Sequence, residues 1–264
     1  MFYGRKGFDI DENKNWLAVI KKEISDQENS DQLLLAYKNL NIKLPVSWKF
    51  PIARFLNDTA IIVNSRIQKE RELNAIIIRL DNGNIIQKFT VGDGVNDIAV
   101  LQDYIAVSYF DEGVFSNTAL SSQGLAFFNF KGEYQYGYRE NVPGHVDIAD
   151  CYAICKVEEN KLAFCAYTDF EFIQLNVSSK SQEIYKTPKQ LHGAHAITLK
   201  QNTAFFKGPY QDKEANQQTL FAYNLETKSI KAIGIIPGQY ARGLPQGKFL
   251  SYCDGNIIIS SVFL

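Results

Sequence analysis

Residues 108–117 read SYFDEGVFSN, two adjacent carboxylates, Asp111 and Glu112, set among Tyr109, Phe110 and Phe115. Gly113 permits a tight turn between them. A second stretch, Tyr167-Thr168-Asp169-Phe170-Glu171, repeats the alternation of aromatic and acid. Three chemistries use such groups. A pair of carboxylates can shuttle protons during hydrolysis. An oxygen-rich cluster can hold Ca²⁺. Aromatic anchors ringed by acids can recognise a basic protein surface. For the first two, Asp111 could meet Asp169 across a channel mouth, and Asp97, Asp150, Asp169 and His195 are the candidate groups of a hydrolase. For the third, the candidates are the two stretches together with Asp97, Asp150 and Tyr210. Packing of Phe110 and Phe115 back onto their own sheet is the alternative for the aromatics.

The remaining reactive residues point away from a familiar active site. The histidines are His145, His192 and His195. His192-x-x-His195 does not fall in a helical pattern, so it lacks the geometry of a helical metal pair. No G-x-S-x-G elbow, phosphate-binding loop or activated-cysteine setting is present. Cys151, Cys155, Cys165 and Cys253 form neither a disulfide framework nor a metal knuckle. They read as reduced core thiols. No cofactor or metal site is expected.

Composition bounds the class. The chain has 264 residues, 45% hydrophobic and 22% charged, with a net charge of −1. That length buries a substantial core. The charge gives no global field for nucleic acid or an anionic membrane. No 18-residue apolar run is present, and the first residues lack the apolar centre of an export signal. A cytoplasmic protein is expected.

A repeat positions the groups. A turn residue precedes a short run rich in alanine, aliphatic or aromatic residues at Asn15, Asp58, Asp103, Asn160, Asn202 and Gly247. The intervals are 43, 45, 57, 42 and 45 residues; four lie near the roughly 40–45 of a propeller blade, and the long one contains SYFDEGVFSN. A second run follows each: LLLAY, AIIIRL, GLAFFNF, FIQL, LFAYNL and NIIIS. A hairpin turn and a third run (IIQKF, EYQYGY, SIKAI) come next, and PIARF, DIAVL, YAIC, HAITL and ARGLP precede the first runs of later units. Four strands, A to D, per unit predict a six-bladed β-propeller of four-stranded antiparallel blades over 1–264, a single domain. The ring is expected to close through an N-terminal strand at Phe2-Tyr3-Gly4-Arg5. Five blades with an irregular end is the runner-up.

In such a blade the B–C loops and the D-to-A connections emerge on one face. The six B–C loops carry a net charge of −6, against −1 for the whole chain. One face should therefore be acidic.

The runs SYFDEGVFSN, GLAFFNFKGE, DIADCYAICKV and YTDFEF, with the repeats, resemble a divergent branch of the WD40-like propellers, an uncharacterised bacterial group without the usual Gly-His and Trp-Asp signatures. Some bacterial propeller-like proteins of this size are similar to immunity proteins that neutralise a delivered toxin. The acidic loop face and the two aromatic-acid loops predict a non-enzymatic binding module, whose partner is another protein with a basic surface, and the likeness to immunity proteins suggests a nuclease-like toxin. Neither nucleic acid nor membrane is expected as a partner. The alternative is a propeller hydrolase or lactonase with a Ca²⁺-dependent site at the channel mouth.

Overall fold

The computed structural model describes residues 7–22, 32–69, 71–212 and 218–262. Blade one holds β1 (Phe8–Ile10), β2 (Trp16–Lys22), β3 (Gln32–Tyr37) and β4 (Leu40–Lys43). Blade two holds β5 (Pro51–Leu56), β6 (Thr59–Asn64), β7 (Ala75–Arg79) and β8 (Ile85–Phe89). Blade three holds β9 (Val95–Val100), β10 (Ile105–Tyr109), β11 (Leu125–Phe128) and β12 (Tyr134–Gly137). Blade four holds β13 (Asp150–Glu158), β14 (Lys161–Tyr167), β15 (Glu171–Asn176) and β16 (Gln182–Tyr185). Blade five holds β17 (Ala196–Lys200), β18 (Thr203–Lys207), β19 (Thr219–Asn224) and β20 (Ile230–Ile235). Blade six holds β21 (Gln239–Leu244), β22 (Lys248–Cys253) and β23 (Asn256–Ser261).

Every sheet pairs its strands antiparallel in chain order, so each blade is a meander. The six-blade expectation holds. The closing strand expected at Phe2–Arg5 lies outside the described residues, and blade six shows three described strands.

The strand sequences follow from their place in the blade. The middle strands are covered on both faces by neighbouring blades. They are therefore apolar without alternation, as in TAIIVN of β6 and AIIIR of β7, buried almost throughout. The outermost strands face solvent. IIQKF of β8 and IKAIGI of β20 are largely exposed.

Among the described residues the core forms six clusters, each in a seam between adjacent blades. Phe127, Tyr138, Phe164 and Ile173 fill the seam of blades three and four. Ile61, Ile77, Val107 and Tyr109 fill that of blades two and three. Among the described residues, the seam joining blade six to blade one has Phe8, Ala18 and Leu250 as its buried members.

Charge also ties that seam. The A-strands β1, β5, β9 and β21 bring Asp9, Arg54, Asp97 and Arg242 together at the channel. Arg54 pairs with Asp97, and Arg242 pairs with Asp9. Asp9 also accepts the Phe55 backbone N–H at 2.8 Å. One carboxylate thus ties blades six, one and two. Burial pushes the Arg242 guanidinium down, to about 10, still well above neutrality, so the pair stays ionised.

The cysteines are all free, three of them buried and Cys253 half-buried. Burial pushes the Cys155 thiol up to about 12 and that of Cys165 well above the ordinary thiol range. Thiolate is the reactive form. A disulfide-exchange reagent at mildly alkaline pH should therefore modify Cys253 quickly in the native protein and all four in denaturant. Equal native rates for all four would contradict this packing.

Candidate functional site

The B–C loop of blade three is a small folded unit rather than an open excursion. It contains α1 (Asp111–Val114) and a 3₁₀ turn at Ser121–Gln123. The extra length of this repeat also includes α2 (Tyr138–Asn141), in the connection to blade four. Val114 is buried beneath the loop. Phe110 N–H donates to the Gly94 carbonyl at 2.9 Å, and the Ser121 hydroxyl donates to the Asp93 carbonyl at 2.7 Å. Gly113 lies so close to the Asp93-Gly94 turn that a Cβ there would sit 2.5 Å from the Asp93 carbonyl oxygen. The close approach explains the glycine.

The Asp93 carboxylate accepts from Arg66 at 2.9 Å and from the Ile67 backbone N–H. The Arg66 guanidinium lies 5.6 Å from the Phe110 ring centroid. Its hydrogen bond to Asp93 raises its affinity for the proton. Thus Asp111 and Glu112 are held on an anchored helix, both exposed, and Phe115 is 74% exposed. For Phe115, packing back onto the sheet is not what occurs.

The matching loop of blade four joins a ring cluster. Phe170 stacks on His192, with centroids 4.2 Å apart and planes at 11°. Tyr152 and Tyr210 meet edge to face at 5.8 Å, their hydroxyls hydrogen-bonded to each other. Tyr167 packs on Phe170 at 5.1 Å. Asp169 is exposed beside Glu171, and burial, reinforced by Asp169, holds the Glu171 carboxyl above the ordinary range.

Of these groups, Phe110, Tyr152 and Tyr210 line one cavity of about 960 Å³ at the channel mouth, together with Asp150, His195 and Lys207 among others. Loops of blades three, four and five thus share one end of the propeller. The opposite end, of about 760 Å³, is lined by the A–B turns, including Asp11, Asn57, Gln102 and Pro245.

Two candidate residues lie elsewhere. Tyr109 is wholly buried at the end of β10, and its hydroxyl donates to the Val91 carbonyl. It is a seam residue with no face for a partner. Asp97 is buried on β9 against Arg54 and accepts the Ile98 N–H at 2.7 Å. It belongs to the ionic belt, so it serves neither the acidic surface nor a hydrolytic mouth. Among the described residues, no three His, Cys, Asp or Glu side chains cluster as metal ligands.

Sequence reasoning missed Arg54, Arg242, Tyr152, Tyr240 and Lys207. The signal for the arginines was present: PIARF and ARGLP each place an Ala-Arg pair in an inner strand. A charge in an axial strand needs a counter-charge in another.

Comparison with known proteins carries the fold. Kluyvelomyces marxianus Hsv2, a propeller protein, is similar in structure. The likeness spans 100% of this chain and 74% of that one, with a TM-score of 0.54 and 9% identity. The chain is a β-propeller. No known family model matches it, and no curated protein matches it. No helix among the described residues is long and apolar enough to cross a membrane.

Proposed function

We propose that this propeller is a protein-interaction module that docks a basic partner on its B–C loop face. The observation that carries the reading is that Asp111, Glu112, Asp169 and Phe115 are all exposed, on loops next to Phe110 and Tyr152 of the mouth lining. Glu171, half-buried, and the Tyr167–Phe170 pair continue the same surface. Anchoring of α1 through Gly113 and Val114 lowers the ordering cost of docking.

In its most specific form the partner is a nuclease-like toxin domain and this chain is its immunity protein. Support comes from the charge of the loops and from the resemblance of their sequences. Co-expression with a toxin encoded beside this chain would check that form: survival supports it, and undiminished killing counts against it.

Charge-driven docking has a salt signature. The screening length falls from about 10 Å at 0.1 M ionic strength to about 3 Å at 1 M. Capture of partners by the immobilised protein should weaken steeply across that range. Capture that is insensitive to salt would point to an apolar interface instead.

A further inference from the structure

Docking of a basic partner leaves blade two without a role. The loop end of that blade carries two of the most exposed apolar side chains among the described residues, Leu73 at 54% and Phe50 at 53%. Lys49, Lys69 and Arg71 stand exposed around them. Blade three, next in the ring, presents the exposed carboxylates of Asp111 and Glu112 and the ring of Phe115. This part of the loop face is therefore bipolar. A basic patch with apolar tips adjoins an acidic patch with an apolar tip.

Both patches are fixed to one frame. The Phe50 N–H donates to Asn64 Oδ1 at 3.1 Å, and the Phe50 carbonyl accepts the Ser65 N–H at 3.0 Å. Leu73 precedes Asn74, a wholly buried residue. The Asn74 side chain donates to the carbonyls of Asn64 and Gly92, at 2.9 and 2.8 Å, and accepts the Val91 N–H at 2.9 Å. The Asp93 carboxylate holds Arg66 and the Ile67 N–H, and its turn backs onto Gly113 of α1. The backbone of both patches is thus set in advance, so contact costs little in ordering it.

Charge decides what covers such a face. A uniformly basic surface spanning blades two and three fits Asp111 and Glu112 but meets Lys49, Lys69 and Arg71. A uniformly acidic one has the converse fault. Like charges across an interface oppose association, and opposite charges select it. The face itself, turned about a two-fold axis between blades two and three, supplies both signs in the required order. Blade two of one copy then lies on blade three of the other, and the reverse, which is the arrangement of an isologous dimer. Phe50, Leu73 and Phe115 become its apolar anchors.

We propose that the chain forms an isologous homodimer through the loop face of blades two and three, with Lys49, Lys69 and Arg71 of each copy facing Asp111 and Glu112 of the other. The dimer is independent of the docking reading, since it needs no foreign partner. It covers α1, so a basic partner and a second copy exclude each other there. A contact of two loops a side is expected to dissociate in the micromolar range.

The test is sedimentation velocity on the full chain alone, from about 1 to about 500 µM and at about 0.05 and about 0.5 M salt. A concentration-dependent dimer is expected at low salt, weakened about tenfold or more at high salt. Lys69→Glu/Arg71→Glu and Asp111→Lys/Glu112→Lys should each be monomeric with a melting temperature near the parent's, because like charges then face each other at both contacts. Mixed in equal amounts, these two variants should form a heterodimer, because both contacts regain opposite signs. Phe115→Ser should weaken the parent dimer about tenfold. A parent protein that is monomeric throughout would overturn the proposal and leave blade two to an acidic foreign partner. So would parent-like dimers of either folded variant, or a mixture of the two that stays monomeric. Lys69→Glu/Arg71→Glu keeps the docking acids, so its capture of basic partners reports on the docking reading alone.

Discussion

Arg54→Leu is expected to destabilise the propeller by about 3–5 kcal/mol, the cost of breaking a buried ion pair by removing one partner. The guanidinium is 2% exposed. It donates to the carbonyls of Ala53 at 2.7 Å, Ile98 at 3.1 Å and Phe8 at 3.3 Å, and it pairs with Asp97. These contacts span blades one, two and three. Leucine fills part of the volume but takes the guanidinium away from the buried Asp97 carboxylate. In a chain of this size that corresponds to a melting-temperature drop on the order of 10 °C. The double variant Arg54→Leu/Asp97→Leu removes that carboxylate as well and should recover part of the loss. Thermal and urea unfolding of the three proteins checks the ordering. A single variant within about 1 kcal/mol of the parent would contradict the role given to the belt.

Gly243→Ala is the second large effect. Gly243 lies on β21, where the inner strands crowd toward the axis. A Cβ there would sit 1.6 Å from the Ile197 carbonyl oxygen and 2.7 Å from its carbonyl carbon, on β17. The Cys155 sulfur on β13 is 3.0 Å away. These are mostly backbone atoms of a paired strand, so they cannot rotate aside. Relief requires β21 to move outward and loosen the seam of blades five and six. A loss of about 3 kcal/mol or more is expected, above the usual range for overpacking because the clash is with backbone. Urea unfolding measures it. Unchanged stability would mean that the axial strands are not in close contact.

The blades themselves were largely legible in the sequence. Each middle strand is buried on both faces, so six apolar runs stand out. The turn residues Asn15, Asp58, Asp103, Asn160, Asn202 and Gly247 come directly before, or two residues before, β2, β6, β10, β14, β18 and β22. What the repeat hid was short or long-range. β1 spans three residues, too few for a pattern, and it supplies the inner strand of blade one. The ionic belt joins residues 43 positions apart in Arg54–Asp97 and 233 apart in Arg242–Asp9. No local pattern encodes such pairings.

The site was legible in part. Loop placement brought Phe110, Asp150 and Tyr210 to one mouth, as the topology implied. Strand ends misled. Tyr109 stands in the SYFDEGVFSN stretch, yet β10 runs through it and turns its ring into a seam. Asp97 is an acid at the head of DIAVL, yet it lies inside β9 against Arg54. Loop length alone did not reveal α1, which fixes how Asp111 and Glu112 are displayed.

The measurement closest to the central claim is partner capture by a protein with Asp111, Glu112, Asp169 and Glu171 all reversed to lysine. None of the four lies in a seam cluster, so the melting temperature should stay near that of the parent. Capture should fall at least about tenfold, since like charges now face the partner. Undiminished capture of every partner by the folded variant would contradict docking on this face.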